Sequence, residues 1–324
     1  MTSNEDKSPT NQHDQVRVGL MGAAAAAVLW GTAGTAQSFV SAEGPDPQWV
    51  AALRLLFASF VFLPLLLRRT RSTPKGKPKS PFYFAVLVLG AGAAMALYNI
   101  CFFLGVKTVG IAVGSAVTLG SAPIWAGILQ ILFNRKLPSL RWLIGVSFAI
   151  VGALTMGMSS AGQDFSVTGV GYCLTAGFSY AFYAAVASIA FSGRSAERVT
   201  SQIFGIATVI AVLFVWVGQP LPHLTPSDLA VTVYLGVATT AGAYLLFTYA
   251  LVRVSAATCV ALTLLEPVTA FTLARFVAHE PSSAVTLAGI AILIVGLAVI
   301  IRSESRRKPN TSKRPVQSFL SSLF

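Results

Sequence analysis

Residues 122–154 read APIWAGILQILFNRKLPSLRWLIGVSFAIVGAL, and residues 266–298 read EPVTAFTLARFVAHEPSSAVTLAGIAILIVGLA. The two stretches align without a gap. Pro123 falls on Pro267, Gly145 on Gly289, Val151 on Val295 and Gly152 on Gly296. Just upstream, at a spacing two residues longer, Tyr98 falls on Tyr244, Val106 on Val252 and Lys107 on Arg253. The chain therefore reads as a unit written twice, and the properties of one copy test those of the other.

Each copy is dominated by apolar residues. Of 324 residues, 55% are hydrophobic and 10% charged, against about 25% charged in an average soluble domain. The apolar residues form ten runs, at roughly 18–40, 49–67, 82–105, 109–132, 142–160, 168–191, 199–217, 229–251, 254–277 and 284–301. Each is long enough to cross about 30 Å of hydrocarbon as a helix. The expected fold class is an all-α integral membrane protein of ten transmembrane helices. Residues 18–160 form the first repeat, 168–301 the second, 1–17 a disordered cytoplasmic N-terminus and 302–324 a basic cytoplasmic tail. The first run follows Lys7 and Arg17 set against Glu5, Asp6 and Asp14. That is not the basic leader of a signal peptide, so the run reads as a retained helix.

The net charge of +12 would suggest nucleic acid in a soluble protein. Here the basic residues lie between and beyond the runs, so topology accounts for them and no nucleic-acid partner is expected. The segment RRTRSTPKGKPKS (68–80) carries six basic residues and no acidic one. Arg135, Lys136 and Arg141 follow the fourth run, Arg194 and Arg198 the sixth, and the tail adds six more. The loops SAEGPDPQ, SAGQDFSVT, GQPLPHLTPSD and VAHEPSS carry no Lys or Arg but hold Glu43, Asp46, Asp164, Asp228 and Glu280. Positive charge stays cytoplasmic, which places both termini inside and leaves Lys107 as the one exception. Five helices per repeat is an odd number, so the second repeat crosses in the opposite sense. The loops agree, because the counterpart of the basic 68–81 loop has lost every positive charge. Inverted repeats are a common transporter architecture, with the substrate site near the midplane between the halves.

At this point the chain resembles the EamA family of the drug/metabolite transporter superfamily, as two EamA repeats over residues 20–301. The resemblance is carried by LWGTAGT (29–35), LRLLFAS (53–59), SAPIWA (121–126), LEPVTA (265–270) and the paired glycines of the fifth and tenth runs. The second repeat keeps the family's acidic residue after the proline helix as Glu280; the first has Asn134, Arg135 and Lys136 there. The resemblance implies a secondary transporter, with export the expected direction, of amino acids, amines or drug-like organic compounds across the bacterial inner membrane. A sugar-phosphate or nucleotide-sugar exchanger is the alternative, and a non-transporting scaffold a remoter one.

The site residues follow from the cost of polarity in hydrocarbon. Glu266 is the sole carboxylate inside any run, and an intramembrane ionisable group is a functional hypothesis by default. It is a candidate to bind a substrate amine, to carry protons as coupling ion, or to hold helices together. Pro123 and Pro267 each remove a backbone donor and free a carbonyl near Leu119 and Thr263. They are candidate hinges or cavity walls. Arg54, about 8 Å into the second helix, is a candidate for a substrate carboxylate. Trp30 with Gln37, Tyr98 with Asn99, Thr118 with Ser121 and Trp125, Tyr180 with Tyr183, and Tyr244 with Thr248 form stripes that suit a cavity for cationic solutes. Packing accounts for such stripes equally well. Gly145, Gly152, Gly289 and Gly296 read as close helix packing, with a homodimer interface as a second use.

Cys101, Cys173 and Cys259 all lie in apolar runs without metal or disulfide spacing. The three histidines lie outside the runs, and no HExxH or phosphate-binding loop occurs. No cofactor, metal or enzymatic activity is expected.

Overall fold

The computed structural model describes residues 9–37, 39–41, 44–67, 80–135, 137–158, 166–277 and 283–305. The basic 68–79 segment, Glu43, Lys136, Asp164, His279, Glu280 and the tail from 306 lie outside the described residues. The elements are α1 (Pro9–Gln37), α2 (Pro47–Leu67), α3 (Pro81–Val109), α4 (Ile111–Asn134), α5 (Leu140–Met158), α6 (Val167–Ala190), α7 (Ala196–Gly218), α8 (Pro226–Tyr234), a π-helical stretch (Leu235–Gly242), α9 (Ala243–Leu251), α10 (Ala256–Leu262), a 3₁₀ turn (Thr263–Leu265), α11 (Glu266–Phe276) and α12 (Ala284–Ser305). Nine helical spans among the described residues are long and apolar enough to cross a membrane. The apolar stretch Leu140–Met156 is the tenth and shortest.

Helices dominate because a segment in hydrocarbon has no water to bond its N–H and C=O groups. One sequence expectation needs correction. The first helix starts at Pro9, so residues 9–17 are helical rather than disordered; proline suits a helix's first turn, where the missing N–H has no partner to lose. The eighth and ninth runs are not uniform α-helices. The eighth widens into the π-helical stretch between α8 and α9, and the ninth is broken by the 3₁₀ turn between α10 and α11. Between α3 and α4 the whole connection is Gly110. Its φ of 83° is a conformation that glycine reaches without a Cβ penalty, and its N–H bonds to Val106 O at 2.9 Å.

The crossings alternate, so the molecule has two faces. One carries the α1–α2 connection, the end of α3, the end of α7 and the start of α8. The other carries the start of α1, the α6–α7 connection, the end of α9 and the end of α12. They are called below the acidic and the basic face, after their loops. Helix α6 starts on the face where α1 ends.

Packing pairs the halves in matching ways. α3 lies along α6, α1 along α9, α2 along α7 and α5 along α12. The α5–α12 pair is built on the four glycines. A Cβ on Gly152 would stand 2.5 Å from Gly289 O, and one on Gly145 2.9 Å from Gly296 O. The glycine faces are therefore spent on one another within a single chain, not presented to a second copy. Small residues at such contacts let helix backbones approach, the main source of association where no hydrophobic drive exists.

Gly152→Ala is expected to lower stability by about 1–3 kcal/mol through overpacking against backbone. Gly171→Ala, whose added Cβ meets nothing within 4 Å, is the neutral control. A thermal-unfolding series in detergent compares the two.

Candidate functional site

The break in the ninth run builds the centre of the molecule. Pro267 has no N–H and cannot bond Thr263 O, four residues back. The chain answers with the tighter 3₁₀ turn, in which the Glu266 N–H takes that carbonyl instead. The carbonyl expected to need a partner has one, and Glu266 stands at the start of α11. Helix α1 reaches this break through Gly31, where a Cβ would lie 2.8 Å from Glu266 O. The other half repeats only the close approach, because α4 runs unbroken through Pro123. At Gly177, spaced from Gly31 as Tyr244 is from Tyr98, α6 approaches α4 so closely that a Cβ would lie 2.8 Å from Thr118 O.

Between these contacts lies a small central pocket of about 10 Å³, lined by Trp30, Tyr98, Leu119, Tyr180, Tyr244, Thr263 and Glu266. Its walls match across the repeat: Tyr98 with Tyr244, and Leu119 with Thr263. Small-molecule sites commonly measure about 300–1000 Å³, so this pocket, with room for about one water, is contracted. The rings form one assembly. Trp30 lies 4.9 Å from Tyr244, 5.5 Å from Phe247 and 6.3 Å from Tyr180, and Tyr98 lies 5.3 Å from Tyr180. Trp30 Nε1 and Tyr180 Oη are buried without a partner among the described residues. The lining combines one carboxylate with several aromatic rings.

Other residues singled out from the sequence lie elsewhere. Arg54 is buried, and its Nε donates to Thr240 Oγ1 at 3.0 Å. Thr239 and Thr240 in turn both donate to Leu235 O at 2.8 Å, the acceptor that the wide π turn presents. Arg54 forms no ion pair with Glu266. Tyr183 stands behind the pocket, edge-on to Tyr244 at 5.9 Å. Asn99 bonds back to Met95 O at 2.9 Å. Ser121 bonds Thr118 O at 3.1 Å, and both lie against α6. The Trp125 ring packs on Phe178 at 5.5 Å, and Gln37 sits in the last turn of α1. Leu119, Thr263 and Phe247 were not expected as pocket neighbours; the first two were legible only as carbonyls freed by proline.

The two faces differ. On the acidic face the chain is tied shut. Lys107 Nζ pairs with Asp46 Oδ2 at 3.0 Å, and Trp49 Nε1 donates to Pro220 O at 2.7 Å. Ser41 donates from N and Oγ to the two oxygens of Asp228 at 2.8 and 2.9 Å. Gln219 Nε2 donates to Gln48 Oε1 at 3.2 Å. The pair with Asp46 explains why Lys107 sits on the face otherwise without basic loops. On the basic face an open vestibule of about 530 Å³ is lined by Arg194, Glu197, Thr248, Tyr249 and Arg253 among others. Thr248 lies one helical turn from Tyr244 and bonds Thr200 at 2.8 Å. The Phe204 ring packs 4.6 Å from Tyr244, beside this turn.

Comparison with known proteins fits this architecture. The model of the EamA-like transporter family matches residues 17–158 and again 167–302. The chain belongs to the EamA-like transporter family. The uncharacterized transporter YwfM of Bacillus subtilis (strain 168) is 33% identical over 288 residues, 89% of this chain and 94% of that protein. An uncharacterized transporter of Archaeoglobus fulgidus is 24% identical over 277 residues, 85% and 95% of the two chains. A solved crystal structure of a protein superposes with a TM-score of 0.74 at 19% identity, covering 89% of this chain and 98% of that one; it shares the fold. This EamA-like chain is thus a multi-pass transporter of the cell membrane that moves small molecules.

The clasp on the acidic face carries a pH dependence. Burial pushes the Asp46 carboxyl up, but the Gln48 N–H bond, the Lys107 bond and the Lys107 charge together hold it below its ordinary value of 3.8. A depressed carboxyl stabilises the folded chain fully above its ordinary value, and the contribution is lost as pH falls through the lower folded value. Hydrogen exchange at the Gln48 amide, which donates to Asp46 Oδ1 at 3.0 Å, is expected to accelerate below pH 3.8 after correction for the intrinsic rate. Asp46→Asn is expected to abolish that acceleration.

Proposed function

We propose that the chain is a secondary active exporter that carries amine-bearing metabolites, amino acids included, by alternating access between two inverted repeats. The observation that carries this reading is Glu266 facing the Trp30, Tyr98, Tyr180 and Tyr244 rings in the contracted central pocket. A carboxylate neutralises an ammonium, and aromatic faces attract its remaining positive edge. Trp30 Nε1 and Tyr180 Oη offer bonds to an acceptor on the same solute. Inversion of the halves is supported by the opposite senses of α1 and α6, and by the exchange of partners that matches α3–α6 with α1–α9. The loop charges support a cytoplasmic basic face. On that reading this conformation opens inward and is closed outward, as an exporter that loads from the cytoplasm requires. Protons are the coupling ion that Glu266 can carry without a metal site.

An exchanger of phosphorylated sugars would need several cations in the pocket. None lines it, and Arg54 is held by Thr240. The repeats, hinges and pocket also leave a scaffold without a use for its one intramembrane carboxylate.

Purified protein in liposomes, assayed by counterflow against labelled amines and amino acids under an imposed pH gradient, tests the proposal. Saturable counterflow of at least one amine-bearing solute is expected. Glu266→Gln is expected to raise its half-saturation concentration about tenfold or more, the weight of a charge-assisted contact. Counterflow confined to anionic solutes, or unchanged in Glu266→Gln, would sink this assignment.

A further inference from the structure

The acidic face has a clasp, and the basic face holds the parts of a second one in its open arrangement. Lys107, in the last turn of α3, and Arg253, just past the end of α9, occupy matching places in the two repeats. Asp46 immediately precedes α2, and Glu197 stands in the first turn of α7. These two helices are also counterparts; they pack together, and Ser59 Oγ meets Thr208 Oγ1 between them at 2.8 Å. Lys107 and Asp46 are paired where the molecule is shut. Arg253 and Glu197 line the same vestibule, where it is open, and are not paired.

Each of the two is held by neighbours close at hand. Glu197 accepts from Ser195 Oγ at 2.8 Å. Arg253 donates to Gln15 Oε1 and to Tyr249 O, both at 2.9 Å, and its guanidinium lies 3.3 Å over the Tyr249 ring. The contacts to Gln15 and Tyr249 are exposed hydrogen bonds, cheap to exchange with water. An ion pair at such a place is weak for the same reason, which suits a gate that must open in every cycle.

We propose that Glu197 and Arg253 form the inner clasp: apart in this conformation, and paired when the vestibule closes and the Asp46–Lys107 pair opens. The proposal rests on the alternating-access reading. Its chemistry repeats that of the acidic face, a carboxylate at the start of one inner helix and a cation at the end of a neighbouring one. The clasps are then reciprocal. Whatever weakens one shifts the population toward the state in which the other is made.

The test uses the full chain with Cys101, Cys173 and Cys259 replaced by Ala, in membrane vesicles. Glu197→Cys and Arg253→Cys are introduced together, and disulfide yield is measured after mild oxidation. A cross-link is expected, and adding Lys107→Ala is expected to raise its yield by about twofold or more, by population shift. No cross-link in either background, or a yield indifferent to Lys107→Ala, would overturn the proposal. Charge is tested separately by counterflow. Glu197→Arg and Arg253→Glu alone are each expected to slow transport about fivefold, in the range of a coupling between sites, and the doubly swapped variant to recover it. Slow singles without recovery would overturn the ion pair. Absence of transport by the unaltered chain would defeat the transporter reading, while the cross-link yields would still decide the clasp.

Discussion

In hydrocarbon every backbone N–H and C=O must find a partner inside the protein, and the rest of this structure is arranged around that demand. Proline at 267 makes it acute, because it removes a donor from the middle of a crossing. The 3₁₀ turn meets the demand by giving Thr263 O to the Glu266 N–H. The repair leaves the crossing bent in the centre of the molecule, with Glu266 at the bend. In the eighth run Thr239 and Thr240 both bond Leu235 O, so the π-helical stretch too keeps its carbonyl satisfied. Arg54 is tied to that stretch, and Gly236 allows α2 to lie close against it.

Close approach is the second theme. Gly31 brings α1 onto the break before α11, and Gly177 brings α6 onto α4 in the same manner. These contacts frame the pocket. The aromatic rings then fill nearly all of the space, leaving about 10 Å³ beside the carboxylate. The lining combines the Glu266 carboxylate with the aromatic side chains of Trp30, Tyr98, Tyr180 and Tyr244.

Duplication supplies symmetry, and the conformation breaks it. Side-chain bonds at Asp46, Ser41, Trp49 and Gln48 hold one face shut. Their counterparts across the repeat surround an open vestibule.

Much of this was legible in the sequence because it follows from periodic or local constraints. Runs of about twenty apolar residues fix a helical membrane fold, loop charge marks the two faces, and the matched prolines and glycines reveal two repeats. Glu266 announced itself by being costly where it stands. Trp30, Tyr98, Tyr180 and Tyr244 were legible as aromatic stripes, but so were Tyr183 and Trp125, which pack elsewhere; a stripe states a helix face and not what that face meets. Asn99 reads as a buried amide in need of a partner, and only the turn geometry shows that Met95 O is enough. The pairing of Lys107 with Asp46 turned an anomaly of loop charge into a clasp. Residues far apart in the chain, such as Ser41 with Asp228 or Arg54 with Thr240, carry no periodic signal that links them. The sequence by itself determined that this chain is a helical membrane protein built as two repeats, with Glu266 inside one of its apolar runs. The tertiary structure alone decided which residues share the pocket and which face is shut, because both depend on how ten separately satisfied helices settle against one another.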